Sequence, residues 1–193
     1  MSRLEKLGMK RNWIYEVIVS TFQNKDPHSA PIGVWTENFS ELNMNIYKKS
    51  RTLGNIINQK EFAVNFVSDI SIFYKSLFAK NEVTYINSKQ INAPAIKNSS
   101  AIVELKLKEI TEKESRFQIE AHVINIQIMG DIKLVNRAES LVLESLILVT
   151  RIPFFAEGEI EKALKENFRV IKKVAPDSKF QNIMEKILIT SKL

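Results

Sequence analysis

The spacing of apolar residues changes once along this chain, near residue 133, and that change limits the fold more than any other feature. Before it, apolar residues recur at every second position. Leu42, Met44 and Ile46 alternate with Asn43, Asn45 and Tyr47, and Phe62, Val64 and Phe66 alternate with Ala63 and Asn65. A period of two marks half-buried strands. Trp13 to Thr21 is rich in β-branched and aromatic residues and reads as a strand. Turn chemistry at Gln23-Asn24-Lys25-Asp26-Pro27 separates it from a second strand, Ala30 to Thr36. Residues 101–110 and 116–128 form a predicted hairpin. Within its second strand the apolar set slips from Phe117, Ile119, Ala121 and Val123 to Ile124, Ile126 and Ile128. A phase slip predicts a β-bulge, and bulges bend strands into barrels. From Asn136 onward the spacing is helical. Ala138, Leu141, Val142, Ser145, Leu146 and Val149 share one face, with Pro153 beyond. Ile160, Leu164, Phe168, Ile171 and Val174 mark a second helix, and Ser178 to Gln181 can cap a third. The expected class is α+β, mainly β, with residues 1–133 in a barrel domain and 134–193 in a C-terminal helical subdomain.

Other segments complete the reading. Residues 1–12 are expected to be an exposed basic lead-in. Asp69 or Ser71 can cap a short helix carrying Ile72, Phe73, Leu77 and Phe78. Residues 80–99, with Pro94 and several Asn and Ser, read as an irregular loop near a ligand.

Composition narrows the function. Net charge is +6, yet the basic residues are spread out, with local pairs at Lys48-Lys49 and Lys172-Lys173 and no basic tail. A solvated basic surface is preferred over nucleic-acid binding. The longest apolar run, near Leu141–Val149, is too short to span a bilayer, and no cleavable leader is read. With no cysteine there is neither disulfide nor thiol catalysis, and a cytoplasmic location is the default. His28 and His122 lack metal-ligand spacing and read as surface or core residues; no metal site and no catalytic side chain is expected.

The chemistry concentrates between Ser29 and Asn65. A strand runs into Lys48-Lys49, and a helix opens at Ser50-Arg51-Thr52. Lys49 and Arg51 supply charge, Ser50 and Thr52 supply hydroxyls, and the helix start supplies free N–H groups. This donor set suits a phosphate. It equally describes an ordinary helix start on a basic surface.

The order of these motifs resembles the FMN-binding split-barrel superfamily, which includes flavin reductases and pyridoxamine-phosphate oxidases. Pro31-Ile32-Gly33-Val34-Trp35 is similar to that superfamily's strand beside the flavin ring. Ser50-Arg51-Thr52-Leu53-Gly54-Asn55 is similar to its phosphate-side segment. Asn136-Arg137-Ala138-Glu139-Ser140 through Arg151 narrows the resemblance to a mostly archaeal family of small FMN-binding proteins of unassigned function. The resemblance implies a split β-barrel binding FMN non-covalently, as a homodimer with two flavins at the interface. It implies phosphate contacts from Lys49, Ser50, Arg51 and Thr52, a bond from Asn55 to ribityl or ring oxygens, ring contacts from Pro31 to Trp35, and an approach by Arg137 toward the cofactor or a substrate. Asn65 is a weaker candidate that needs a partner if buried. The implied function is a flavin reductase-like oxidoreductase with unknown electron donor and acceptor. The alternative is a flavin sensor or carrier without turnover on the same fold.

Overall fold

The computed structural model describes residues 4–156 and 158–190. The chain divides into two compact units. One holds the described residues up to Arg11 together with Tyr15–Val135; the other holds Asn12–Ile14 and the residues from Asn136 onward.

The first unit is a closed six-stranded barrel. Its strands are β1 (Tyr15–Gln23), β2 (Asp26–Trp35), β3 (Glu41–Tyr47), β4 (Glu61–Phe66), β7 (Ala101–Glu112) and β8 (Arg116–Ile128). Around the barrel they run β1-β2-β3-β8-β7-β4, with β4 returning to β1 through Ile18↔Asn65 and Val19↔Val64. The alternation read in the sequence is the barrel's inside. Val17, Val19, Leu42, Met44, Phe62, Val64, Val103, Leu105, Ile119 and Ala121 are fully buried. The predicted bulge is present: Glu104 pairs with Asn125 and Leu105 with Val123, so the register skips Ile124. A second irregularity falls at Lys108.

β1 and β2 form a tight hairpin. Asn24 and Lys25 both have positive φ, 51° and 76°, which matches strand twist across a two-residue turn. The strand after this turn starts at Asp26, earlier than expected. β2 meets β3 at only two positions among the described residues, Val34↔Met44 and Trp35↔Asn43. Residues 26–33 of β2 are paired on the β1 side alone.

Helix α1 (Arg51–Gln59) follows β3 and ends at Lys60, whose φ is 59°. Helix α2 (Ile70–Phe78) starts at Asp69, which accepts a bond from the Ser71 N–H at 2.8 Å. Two expectations need correction. Residues 80–99 are not irregular throughout: β5 (Tyr85–Asn87) and β6 (Pro94–Ile96) pair as a small sheet. That sheet and α2 cover barrel residues of the other parity, Ile18 with Val67 and Ile96, and Ala63 with Ala95 and Ile102. Nor is the N-terminal segment exposed lead-in. Leu4, Leu7 and Met9 are buried around a 3₁₀ turn at Glu5–Leu7; residues 1–3 lie outside the described residues.

Asn65 faces this covered side and is fully used. Its amide donates to the Ile18 carbonyl and the Ser20 hydroxyl, and its oxygen accepts from the Ile96 N–H at 2.8 Å. It ties β6 to the barrel and has no capacity left for a cofactor.

The second unit packs α3 (Ala138–Val149), α4 (Glu159–Val174) and α5 (Lys179–Thr190) around Ala138, Val142, Leu164, Ile171 and Met184. Glu159 and Glu161 open α4, and Lys172-Lys173 close it, each sign complementing the helix dipole. The second basic pair thus has a structural role.

Candidate functional site

The start of α1 presents uncapped backbone beside a cation. Ser50 holds the N-cap in extended backbone, but its side chain makes no capping bond. No acidic residue occupies the first turn, among the described residues. The first-turn N–H groups thus lack a side-chain acceptor. Arg51 is exposed beside them.

One face of α1 is pinned to the β1–β2 hairpin by polar bonds. Thr52 Oγ1 lies 3.1 Å from His28 Nε2, Asn55 donates to Thr21 Oγ1 at 2.9 Å, and Gln59 donates to the Phe22 carbonyl at 2.9 Å. Thr21 and His28 are directly opposed across the hairpin. Positions 52, 55 and 59 share one helical face, so this row fixes the angle at which α1 meets the barrel. Leu53 and Ile56 bury the apolar side.

His28 reports the field at this place. Desolvation, then the positive charges of Lys80 and Arg51, lower its pKa from 6.5 to about 4. It is neutral at pH 7 and 8% exposed. The charges that lower it come from two separate segments, α1 and the 3₁₀ turn at Lys80–Glu82. This gives a stability prediction. The folded pKa lies below the unfolded one, so the unfolded chain binds the extra proton between pH 6.5 and 4. The stability is fully present above pH 6.5 and is lost as pH falls toward 4. The melting temperature is expected to fall between pH 7 and 5, and His28→Gln to flatten that fall. Glu41 adds nothing to this window. Bonds from Lys108 and Asn38 hold its pKa near 2, so its own loss begins only below 4.5. An identical profile in His28→Gln would sink the assignment.

The other expected residues fall as follows. Lys49 is exposed. Lys48 is taken by an ion pair with Glu112. Thr52 and Asn55 are buried and spend their polar groups on His28 and Thr21. Asn55 also lines a polar cavity of about 200 Å³ with Asn24, Asn58 and Gln59, whose buried Oε1 has no protein partner. Pro31, Ile32 and Gly33 are half-buried, in the part of β2 that lacks a β3 partner. Val34 is fully buried and paired on both sides, with Tyr15 and with Met44, so it is part of the core rather than of the ring wall. Trp35 is half-buried, and its indole N–H reaches Glu37 at 3.3 Å. Arg137 stands at the N-cap of α3 in the helical unit. Sequence reasoning missed His28 and Lys80. His28 was within reach, because a two-residue turn at Asn24-Lys25 pairs it with Thr21. Lys80 carried no local signal. Among the described residues no helix is long and apolar enough to cross a membrane, and no cluster of His, Cys, Asp or Glu is placed to hold a metal.

Comparison with known proteins adds the family. Residues 15–130 match the description "Protein of unknown function (DUF447) N-terminal domain", and residues 136–189 match "Protein of unknown function (DUF447)". A relative described as an uncharacterized protein, MJ1453 of Methanocaldococcus jannaschii, is 27% identical over 177 residues, 83% of this chain and 90% of that one. Among solved structures, the FMN-bound protein MM1853 from Methanosarcina mazei superposes with a TM-score of 0.58 at 22% identity, covering 97% of this chain and 99% of the other. The flavin reductase HpaC complexed with NADP+ superposes at 0.54 and 17% identity, covering 69% and 90%. At these identities the likeness establishes the shared fold.

Proposed function

Because the chain belongs to the family of unknown function DUF447, matched across both its units, we propose that it is a flavoprotein holding FMN non-covalently on its barrel unit. The observation that carries this reading is the start of α1, where Ser50 makes no side-chain capping bond, no carboxylate stands in the first turn and Arg51 is exposed. That donor set fits a phosphomonoester: cations, a hydroxyl and free N–H groups, with no carboxylate in the first turn. An uncharged ligand would gain little there. Ser50, Arg51 and Lys80 would hold the phosphate, with Lys49 at the rim. The half-buried stretch Pro31–Gly33 would flank the ring with apolar side chains and backbone groups not used in pairing to β3. The FMN-bound family structure from Methanosarcina mazei supports the choice of cofactor.

Bound FMN supplies hydride or single-electron chemistry; the protein's part is position, charge and exclusion of water. Val34 and the residues inside the barrel keep one side of the strand dry, while Arg51 and Lys80 anchor the phosphate end. A flavin reductase-like oxidoreductase is the finer reading, supported by the fold shared with HpaC. The half-exposed ring wall on β2 would be closed by a second copy, so the working unit is a homodimer. The test is a visible spectrum of the purified protein followed by FMN titration. Flavin bands, or saturation at about micromolar affinity or tighter, are expected. A colourless protein that ignores FMN would overturn the cofactor. Anaerobic bleaching of the bound flavin by a nicotinamide donor would separate a reductase from a carrier.

A further inference from the structure

The stretch of β2 assigned to the flavin ring is short of strand partners. Residues 26–33 pair with β1 alone, so no ladder on the β3 side fixes where they lie. Two side-chain bonds stand in for it, one from each face of the strand. His28 is turned toward α1, with its Nε2 3.1 Å from Thr52 Oγ1. Ser29, the next residue, is turned to the opposite face. It is 1% exposed, and its hydroxyl oxygen lies 2.7 Å from that of Tyr85 on β5.

We propose that Tyr85 is a positioning residue: through Ser29 it fixes the stretch Ala30–Gly33 of β2, the wall on which the flavin ring would lie. The role assigned to the ring rests on the proposed function; the tie between β5 and β2 does not. The plainer account is that this bond fastens the small sheet of β5 and β6 to the barrel. That sheet is already fastened without it. Ser20 donates to the Pro94 carbonyl at 2.6 Å, and the Ile96 N–H donates to Asn65 at 2.8 Å. Tyr85 pairs with Ile96 across the sheet and packs against the cluster of Ile18, Val67 and Ile96. It therefore stands on a support anchored to β1 and β4, and β2 is the partner with more to lose. Burial pushes the Tyr85 phenol above its ordinary pKa, so it keeps its O–H and can donate to Ser29. A wall held in place before the ligand arrives loses less freedom on binding.

The test compares the full chain with Tyr85→Phe, Ser29→Ala and the double variant. Tyr85→Phe removes only the hydroxyl and keeps the ring that packs on Ile18, so the fold is expected to survive. Amide exchange is measured first, without flavin. In Tyr85→Phe it is expected to rise at Ala30 and Ile32 and to stay unchanged at Val64, Val103 and Ile96. FMN and riboflavin are then titrated. Both are expected to bind roughly threefold to tenfold more weakly, because one neutral bond is lost and the phosphate end is untouched. At saturation the visible band of FMN in Tyr85→Phe is expected to lie nearer that of free flavin, a change that a loss of stability alone would not produce. Ser29→Ala breaks the same bond, so the double variant is expected to lose no more than either single one. Exchange that stays the same at Ala30 and Ile32, or rises at Ile96 instead, overturns the proposal. So do losses that add in the double variant, or unchanged flavin affinity and spectrum in a chain that binds FMN. A wild-type chain that ignores FMN sinks the cofactor reading, and the exchange result then decides the hold of Tyr85 on β2 by itself.

Discussion

Replacing Arg51 and Lys80 together by alanine is expected to weaken FMN binding at least tenfold and to leave riboflavin binding within about twofold. Riboflavin carries the same ring and ribityl chain without the phosphate, so it isolates the phosphate's share. A hydrogen bond to a charged group contributes about 1.5–3 kcal/mol. Losing one such bond at the lower figure already exceeds the 1.4 kcal/mol of a tenfold change. Both side chains are exposed, so solvent screening trims each contribution, and the pair is needed to make the loss unambiguous. Because the contact is between charges, the wild-type preference for FMN over riboflavin is expected to shrink as salt rises. Thr52 is a poor choice for this experiment. Its hydroxyl is bonded to buried His28, and Thr52→Ala would mix a folding defect with a binding one. Equal losses for FMN and riboflavin, or no loss for either, would remove the phosphate from the start of α1.

The barrel was legible wherever one face of a strand is polar. Asn43 and Asn45 frame Met44 in β3, and the slip at Val123–Ile124 appeared as a break in parity that the register reproduces. Helix α1 announced itself through Ser50 and the spacing of Leu53 and Ile56. The reading failed where tertiary packing assigns burial. Leu4, Leu7 and Met9 sit among Lys and Arg, with a spacing that no regular element explains, yet all three are buried. β5 and β6 are three residues each, too short to show a period. The candidate site divides the same way. Ser50 and Arg51 lie in one local motif, and His28 is brought to it by a hairpin turn. Lys80 joins only because α2 carries the chain back over β2, which no local pattern encodes. Asn55 matched a motif, but the structure gives its amide to Thr21, so a cofactor contact there would compete with a bond that holds α1 in place.

The largest stability effect is expected at Glu104, and it shows what holds the segment that sequence reading left irregular. Glu104 lies in β7 and is fully buried. Its Oε1 accepts from the Lys89 N–H at 2.9 Å and the Gln127 amide at 2.6 Å, and Oε2 accepts from the Gln90 N–H at 2.7 Å. Asn125 adds a longer bond at 3.3 Å. One carboxylate therefore supplies the acceptors for the turn between β5 and β6 and for two side chains of β8. Glu61 does a lesser version of the same work, accepting from the Asn92 N–H at 2.7 Å while paired with Lys106. Glu104→Ala leaves those donors without their acceptor and opens a void where the carboxylate was fully buried. The expected cost is about 3 kcal/mol, a fall in melting temperature of roughly 6–12 °C for a chain of this length. Glu104→Gln keeps one acceptor oxygen but turns an NH₂ group toward a donor, so its expected loss is smaller but not zero. The failure should be local before it is global. Amide exchange at Lys89 and Gln90 should rise in Glu104→Ala under conditions where the β1–β2 hairpin still protects its own amides. A melting temperature within about 2 °C of wild type, or exchange that rises evenly over the whole barrel, would show that the turn is held by the Asn65 bond to Ile96 and by apolar packing rather than by this carboxylate.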